Sequence, residues 1–238
     1  RISVGYELYF DIIEKMIKDV KETQGDNIRN AGKIIADSIM AGGILQTFGS
    51  GHSYAGAIEI AGRAGGLIPA KALEEYSRGK YEMIEGVGTK FMEQVDIRDN
   101  DCFVLISNSG RNPMSIEIAD IVKQKGNKII VVTSLDVSKT MTSRHSSGKK
   151  LYEFADVILD NKGVEGDAAV SLPGMPNKIC GTSSVTAAIL LNATILESVE
   201  IMLSRGYVPP VYLSANIDGG PEHNLNLLEK YADRLYRK

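Results

Sequence analysis

The chain has 238 residues, of which 43% are hydrophobic and 24% charged, proportions that disfavour disordered, collagen-like and coiled-coil chains. Its net charge of −3 offers no overall field for nucleic acid or an anionic membrane, so any phosphate binding has to be local. Cys102 and Cys180 lack CxxC spacing, and His52, His145 and His223 are too scattered for a metal cluster. With no basic-then-apolar leader and no apolar run of about 18 residues, the expectation is a cytoplasmic protein with no metal, no cofactor, no nucleic-acid partner and no membrane partner.

In chain order, residues 6–20 carry Tyr9, Ile12, Ile13, Met16, Ile17 and Val20 at the spacing of one helix face. A second helix is predicted over 26–40, ended by Ala41-Gly42-Gly43. Residues 44–48 read as a strand running into Gly49-Ser50-Gly51-His52-Ser53, then a small-residue helix ending near Gly65-Gly66. Residues 102–106 form a second apolar strand, followed by Ser107-Asn108-Ser109-Gly110-Arg111-Asn112-Pro113 and a helix over 114–125. Pro113 suits that helix's first turn, Gly126 closes it, and 128–132 is the next strand, ending in Thr133-Ser134. A weaker strand is predicted at 157–159, a Gly- and Pro-rich loop over 161–181, and a helix over 183–204 that is apolar nearly all round and therefore buried in the protein or an oligomer. Asp218-Gly219-Gly220-Pro221 is a turn before a charged amphipathic helix over 222–237. Continuous apolar strands alternating with helices imply a parallel sheet covered on both faces.

Ligands of such sheets bind beyond the carboxyl ends of the strands. Three turns there bear serine or threonine: 49–53, 107–112 and 133–134. Hydroxyls and free N–H groups at helix starts make an anion cradle without lysine, and glycine lets the backbone approach the oxygens. One such turn is what any capped tight connection gives; three on consecutive strand ends point to a phosphate ester. The dinucleotide fingerprint fails at its third position, Tyr54, and the GxxxxGK[ST] pattern is absent. Glycine is also in excess, 24 residues or about 10% against a usual ~7%, and part of that excess lies in these turns.

The runs Ala36-Asp37-Ser38-Ile39-Met40-Ala41-Gly42-Gly43, Gly49 to Ser53 and Ser107 to Asn112 resemble the sugar isomerase (SIS) domain family, which includes phosphoheptose isomerase and N-acetylmuramic acid 6-phosphate etherase. The likeness spans about residues 26–204. It is strongest to single-domain bacterial SIS proteins, in which Gly49 to Ser53, Arg63-Ala64-Gly65-Gly66 and Glu222-His223-Asn224 recur together. The resemblance implies an α/β fold, a three-layer α-β-α sandwich with a five-stranded parallel, flavodoxin-like sheet. It implies a single domain over 1–238, with helices 4–22 and 221–237 appended to the core, and a homodimer or homotetramer with the ligand near the subunit interface. The ligand it implies is a phosphorylated sugar. By motif position its phosphate and sugar contacts are Ser50, Gly51 and Ser53, then Ser107, Asn108, Ser109 and Asn112, then Ser134, with Arg63 nearby. Asn112 replaces the commoner Thr or Ser, and its amide is still a donor.

Aldose–ketose isomerisation needs a base that moves a proton between C1 and C2 and a group that opens the ring. The two named relatives carry a carboxylate ten residues beyond the turn serine, where this chain has Arg63. Glu59, one helical turn earlier, is the candidate base, with an i,i+4 pair to Arg63 as the alternative use of its carboxylate. His52 and, at longer reach, His223 are candidates for ring opening or proton relay. His223 requires the last helix to pack over the sheet edge or cross to a neighbouring subunit. Asn192 is a buried hydrogen bonder or a sugar contact. Glu74, Glu75, Glu82 and Glu85, around Tyr76 and Tyr81, are expected in a solvated segment or lid. Arg144, His145, Lys149 and Lys150 are expected in an exposed loop with a modest capacity to attract an anion, and the 163–181 loop, with Glu165 and Asp167, as a closing flap. The reaction read from all this is cofactor-independent isomerisation of a sugar phosphate. The alternatives are a non-catalytic phosphosugar sensor and a lyase of the etherase type.

Overall fold

The apolar runs become the strands of one sheet in the computed structural model, which describes residues 2–236. In chain order these are β1 (Leu45–Gly49), β2 (Ala70–Ala72), β3 (Cys102–Ile106), β4 (Lys128–Thr133) and β5 (Val157–Asp160). All pair in parallel, in the order β2-β1-β3-β4-β5. The chain steps outward from β1 to β2 and then crosses back to β3, so the winding reverses between β1 and β3, the position where open α/β sheets bind ligands. Register sets Gly49 opposite Ile106 and Ile106 opposite Val132, so the turns that follow β1 and β3 leave the sheet side by side.

Helices α1 (Tyr6–Thr23), α2 (Gly25–Met40), α3 (Tyr54–Glu59), α4 (Val87–Met92), α5 (Pro113–Gln124), α6 (Leu135–Thr140), α7 (Ser183–Ser204) and α8 (Gly220–Leu235) complete the described elements, with an antiparallel ribbon of β6 (Ala168–Val170) and β7 (Ile179–Gly181). Alternation along β3 shows why both faces are covered. Cys102, Val104 and Ile106 join the cluster of Ile35, Ile39, Leu190 and Leu191 from α2 and α7. Phe103 and Leu105 join Met114, Ile116 and Val122 from α5. The result is the three-layer sandwich with a five-stranded parallel sheet.

Helix α7 is long and apolar enough to cross a membrane by length and composition. Here its stripe of Ala187, Leu190, Leu191, Ile195 and Met202 is buried, while Leu196 and Leu203 stay 60% exposed, so burial covers one face rather than the whole circumference. Its approach to α2 is close enough that a Cβ on Gly32 would lie 2.6 Å from Glu197 Cβ.

Three expectations change. The predicted helix to residue 65 stops at Glu59, and the chain turns through Gly62 and Gly65, both at positive φ. The strand β2, unread in the sequence, is a short edge strand of small residues. The 161–181 loop contains the β6–β7 ribbon. Helix α8 ends at Leu235; Arg237, the expected end, lies outside the described residues.

The two sheet edges are sealed differently. At the amino edge, Ile44 and Ile68 pack under Tyr231 of α8, and Arg234 reaches Asp101, just before β3, with Nη1 at 2.9 Å from Oδ1. The carboxyl edge is covered by loops.

Candidate phosphate-binding cleft

The first turn leaves β1 at Gly49, where a Cβ would stand 2.3 Å from the Ser53 carbonyl oxygen, and glycine is what permits so tight a return. A 3₁₀ turn over Gly51–Ser53 leads into α3. The Ser50 hydroxyl is shut off from solvent without a hydrogen-bond partner among the described residues. Gly79 lies directly above: a Cβ there would sit 3.0 Å from Gly51 Cα.

The second turn closes on itself, with Gly110 N donating to Ser107 Oγ at 3.0 Å and Gly110 at φ +58°. Its neighbours brace it. The Asn108 carbonyl accepts from Thr133 Oγ1 at 3.0 Å and from Ser134 N at 3.1 Å, and Asn108 Oδ1 accepts from Asn161 Nδ2 at 2.7 Å. Pro113 then opens α5, aiming that helix's start at the space in front of both turns.

That space is a cleft of about 290 Å³, at the low end of ligand pockets, which run from ~300 to 1,000 Å³. Ser50, Ser53, Ser107, Asn108, Ser109, Arg111 and Asn112 line it from the two strand-end turns, Glu82 and Arg144 from two other loops, and Val164, Gly166 and Asp167 from the segment after β5. The hydroxyls of Ser53 and Ser109 donate to nothing among the described residues. Asn112 Nδ2 donates to Glu82 Oε1 at 3.0 Å and Asn112 Oδ1 accepts from Arg144 Nη1 at 3.1 Å. The loops that carry these residues are tied together. Ser146 donates to Glu85 through its backbone N–H and its hydroxyl, bonds that hold the Glu85 carboxyl below its ordinary value, and His145 Nε2 lies 3.2 Å from the buried Glu117. The Asp167 carboxylate accepts from Thr182 N and Ser183 N at 3.0 and 2.9 Å, capping the start of α7.

The sequence model of the SIS domain matches residues 8–134, just over half of the chain. The chain belongs to the SIS domain family. This SIS protein is 57% identical over 228 residues to a UPF0309 protein of Listeria monocytogenes, covering 96% of the chain and 97% of the relative. It is 38% identical over 236 residues to a UPF0309 protein of Geobacillus kaustophilus, covering 95% and 94%. Among solved structures it resembles phosphoheptose isomerase from Neisseria gonorrhoeae, with a TM-score of 0.53, 18% identity, and coverage of 79% of the SIS protein and 92% of the isomerase. It also resembles the sugar isomerase domain of an RpiR transcription factor from Sphaerobacter thermophilus, with a TM-score of 0.51, 18% identity and coverage of 97% and 98%. At these identities the structural likeness is one of fold.

The SIS protein gathers its expected contacts unevenly. Ser50, Ser53, Ser107, Asn108, Ser109 and Asn112 meet in the cleft, with Gly51 shaping the first turn behind them. Ser134 does not line the cleft: it is 1% exposed, and its hydroxyl donates to the Gly163 carbonyl at 2.7 Å, which makes it a strut between two loops. Glu59, the expected base, is held on the surface by Arg63 at 2.6 Å and by Asn192 Nδ2 at 3.0 Å, and because α3 ends there, neither Glu59 nor Arg63 lines the cleft. His52 is exposed and shares a hydrogen bond of 2.9 Å with Ser184 at the start of α7, in a narrow crevice beside the cleft. His223 bonds the Val211 carbonyl at 2.9 Å. Val211 bridges to Leu67, just before β2, so this histidine belongs to the amino edge, away from the cleft.

Glu82, Arg111, Arg144 and Asp167 are the cleft residues that the sequence did not assign. Arg111 sits inside the second turn's motif, which was its available signal. The other three arrive from loops far apart in the chain and carry no local signature.

Proposed function

We propose that this SIS protein binds a phosphorylated sugar in the cleft and interconverts its aldose and ketose forms. The observation that carries the reading is the set of hydroxyls of Ser50, Ser53 and Ser109, which have no hydrogen-bond partner among the described residues and stand with Ser107 before the start of α5. A phosphate ester supplies the acceptor oxygens those donors lack, and the helix start adds favourable dipole charge.

Glu82 is the base on this reading, in place of Glu59. Its Oε1 is fixed by Asn112, itself fixed by Arg144, which leaves Oε2 to face the sugar. Glu82 removes the C2 proton of the open-chain aldose, the carbonyl electrons move to O1, and an enediol forms. The same carboxyl returns the proton to C1 while the O2 hydroxyl proton passes through cleft water to O1, leaving the C2 ketone, so no redox partner is needed. Asp167 is less free to serve, because its oxygens are engaged at the start of α7.

A thermal-shift panel of pentose, hexose, heptose and N-acetylated sugar phosphates identifies the ligand, and NMR of the tightest one in deuterated water reads the reaction. Deuterium entering at C2, with a loss of about 10²- to 10⁴-fold in Glu82→Gln, is the expected result. Tight binding without exchange makes the protein a phosphosugar sensor. No stabilisation by any phosphosugar removes the reading.

A further inference from the structure

The cleft lining holds two chemically different sets of groups. Neutral hydroxyls on the strand-end turns form one. Arg111 and Arg144 form the other, and Asn112 joins them, being part of the second turn and bonded to Arg144 at 3.1 Å.

The two arginines are unusually free of partners. Arg144 donates from Nη1 to Asn112 Oδ1 and to Met83 Sδ, neither of which is charged. Arg111 Nε is shut off from solvent and has no hydrogen-bond partner among the described residues. Neither guanidinium forms an ion pair among the described residues. Among the other described residues, five arginines take carboxylates, Arg29 with Asp26, Arg63 with Glu59, Arg98 with Asp96 and Asp233, Arg205 with Asp37, and Arg234 with Asp101, while Arg78 takes none. A shielded guanidinium N–H left without an acceptor is costly. The backbone also holds the pair together, since Arg144 N donates to the Arg111 carbonyl at 2.9 Å. Two arginines joined through their backbones and lining one cleft, with forked donors that suit planar or tetrahedral oxyanions, are suited to recognise an anion.

Resting on the phosphosugar reading of the same cleft, we propose that the substrate carries a second anionic group, a carboxylate or a second phosphate. The hydroxyl turns take the first phosphate, and Arg111 with Arg144 read the second group. The ligand class is then a sugar-acid phosphate or a sugar bisphosphate, and a plain sugar monophosphate fills half of the site.

Titration calorimetry of the full chain with glucose 6-phosphate, 6-phosphogluconate and fructose 1,6-bisphosphate tests this, with inorganic phosphate as reference. The expected result is that at least one of the two bis-anions binds about 10- to 100-fold tighter than glucose 6-phosphate, the factor that charge-assisted hydrogen bonds supply. Tighter 6-phosphogluconate identifies a carboxylate, and tighter bisphosphate a second phosphate. Arg111→Met should erase that preference while changing glucose 6-phosphate binding less than about threefold, and Arg144→Met, which also frees Asn112, should weaken the bis-anions more than glucose 6-phosphate. Equal binding of all three sugars by the unmodified protein overturns the proposal without any variant, as does equal weakening of mono- and bis-anions in the arginine variants, which would place both arginines on the first phosphate. If none of the sugars binds and Ser109→Ala changes nothing, the phosphosugar reading itself has failed.

Discussion

At the amino edge of the sheet, the Asp101 carboxylate is fully shielded, and donors fill both its oxygens: Ile44 N, Arg98 N, Gln46 Nε2 and two nitrogens of Arg234. At the carboxyl edge, the buried Ser50 hydroxyl and Arg111 Nε, and the half-buried hydroxyls of Ser53 and Ser109, have no hydrogen-bond partner among the described residues. Buried polar groups are normally paired within the chain. At the first edge Asp101 obeys that rule and holds the fold, although Gln46 Oε1 and Arg234 Nε beside it are buried without a hydrogen-bond partner among the described residues. The second departs from it where a ligand would complete the pairing, so polar residues of similar type carry opposite roles at the two ends of the same strands.

The largest break comes from Arg234→Met, which strands the Asp101 charge and should cost ~3–5 kcal/mol in urea unfolding while leaving sugar-phosphate affinity unchanged; a parallel loss of affinity would show that the edges are coupled. Next, Ser109→Ala should weaken ligand binding about 10- to 100-fold by calorimetry and move the unfolding free energy by less than ~0.5 kcal/mol, the mirror image of the first variant. A smaller effect follows from titration. Burial opposes ionisation of Asp101, yet the bonds from Arg234, Arg98 N and Ile44 N outweigh it and hold the carboxyl below its ordinary 3.8. The group is therefore more acidic folded than unfolded, so its stabilisation is complete above about pH 4 and is lost as pH falls through the folded value. Acid unfolding followed by circular dichroism should show a shallower slope there in Asp101→Asn. The smallest effect is expected for Glu59→Gln. Its partner is an exposed arginine, so stability should fall by ~0–1 kcal/mol, and deuterium exchange at C2 should be unchanged; a large loss of exchange would return the base to Glu59.

What could be read from the residues follows from how local the cause is. β3 and β4 are legible because burial on both faces demands an unbroken apolar run, and the 107–112 turn because its residues are contiguous and follow such a run. β2 escaped because Ala70–Ala72 is three residues of low strand propensity held in place by pairing to β1. α3 was overextended because the alanines and glycines after Glu59 fit a helix pattern, while the positive φ of Gly62 and Gly65 breaks it. In the cleft, Ser53 and Ser109 were readable from the turn chemistry. Glu82 and Arg144 were not, because Asn112 brings them together across the fold. Ser134 shows the converse failure: a serine at a strand end fits a cradle by type, but its hydroxyl was claimed by Gly163.

The 163–167 segment of the cleft lining is fastened at both ends. Gly163 is held through its N–H by Asn161 and through its carbonyl by Ser134, and Asp167 is held at the start of α7. Residues 164–166 bridge these anchors and bring Val164 and Gly166 to the cleft lining, next to Asp167. On the phosphosugar reading this bridge gauges ligand girth, its clearance set by backbone anchors and by the size of one aliphatic side chain. Substitutions at Val164 would then change the tolerance for bulkier ligands without touching the arginines proposed to read negative charge.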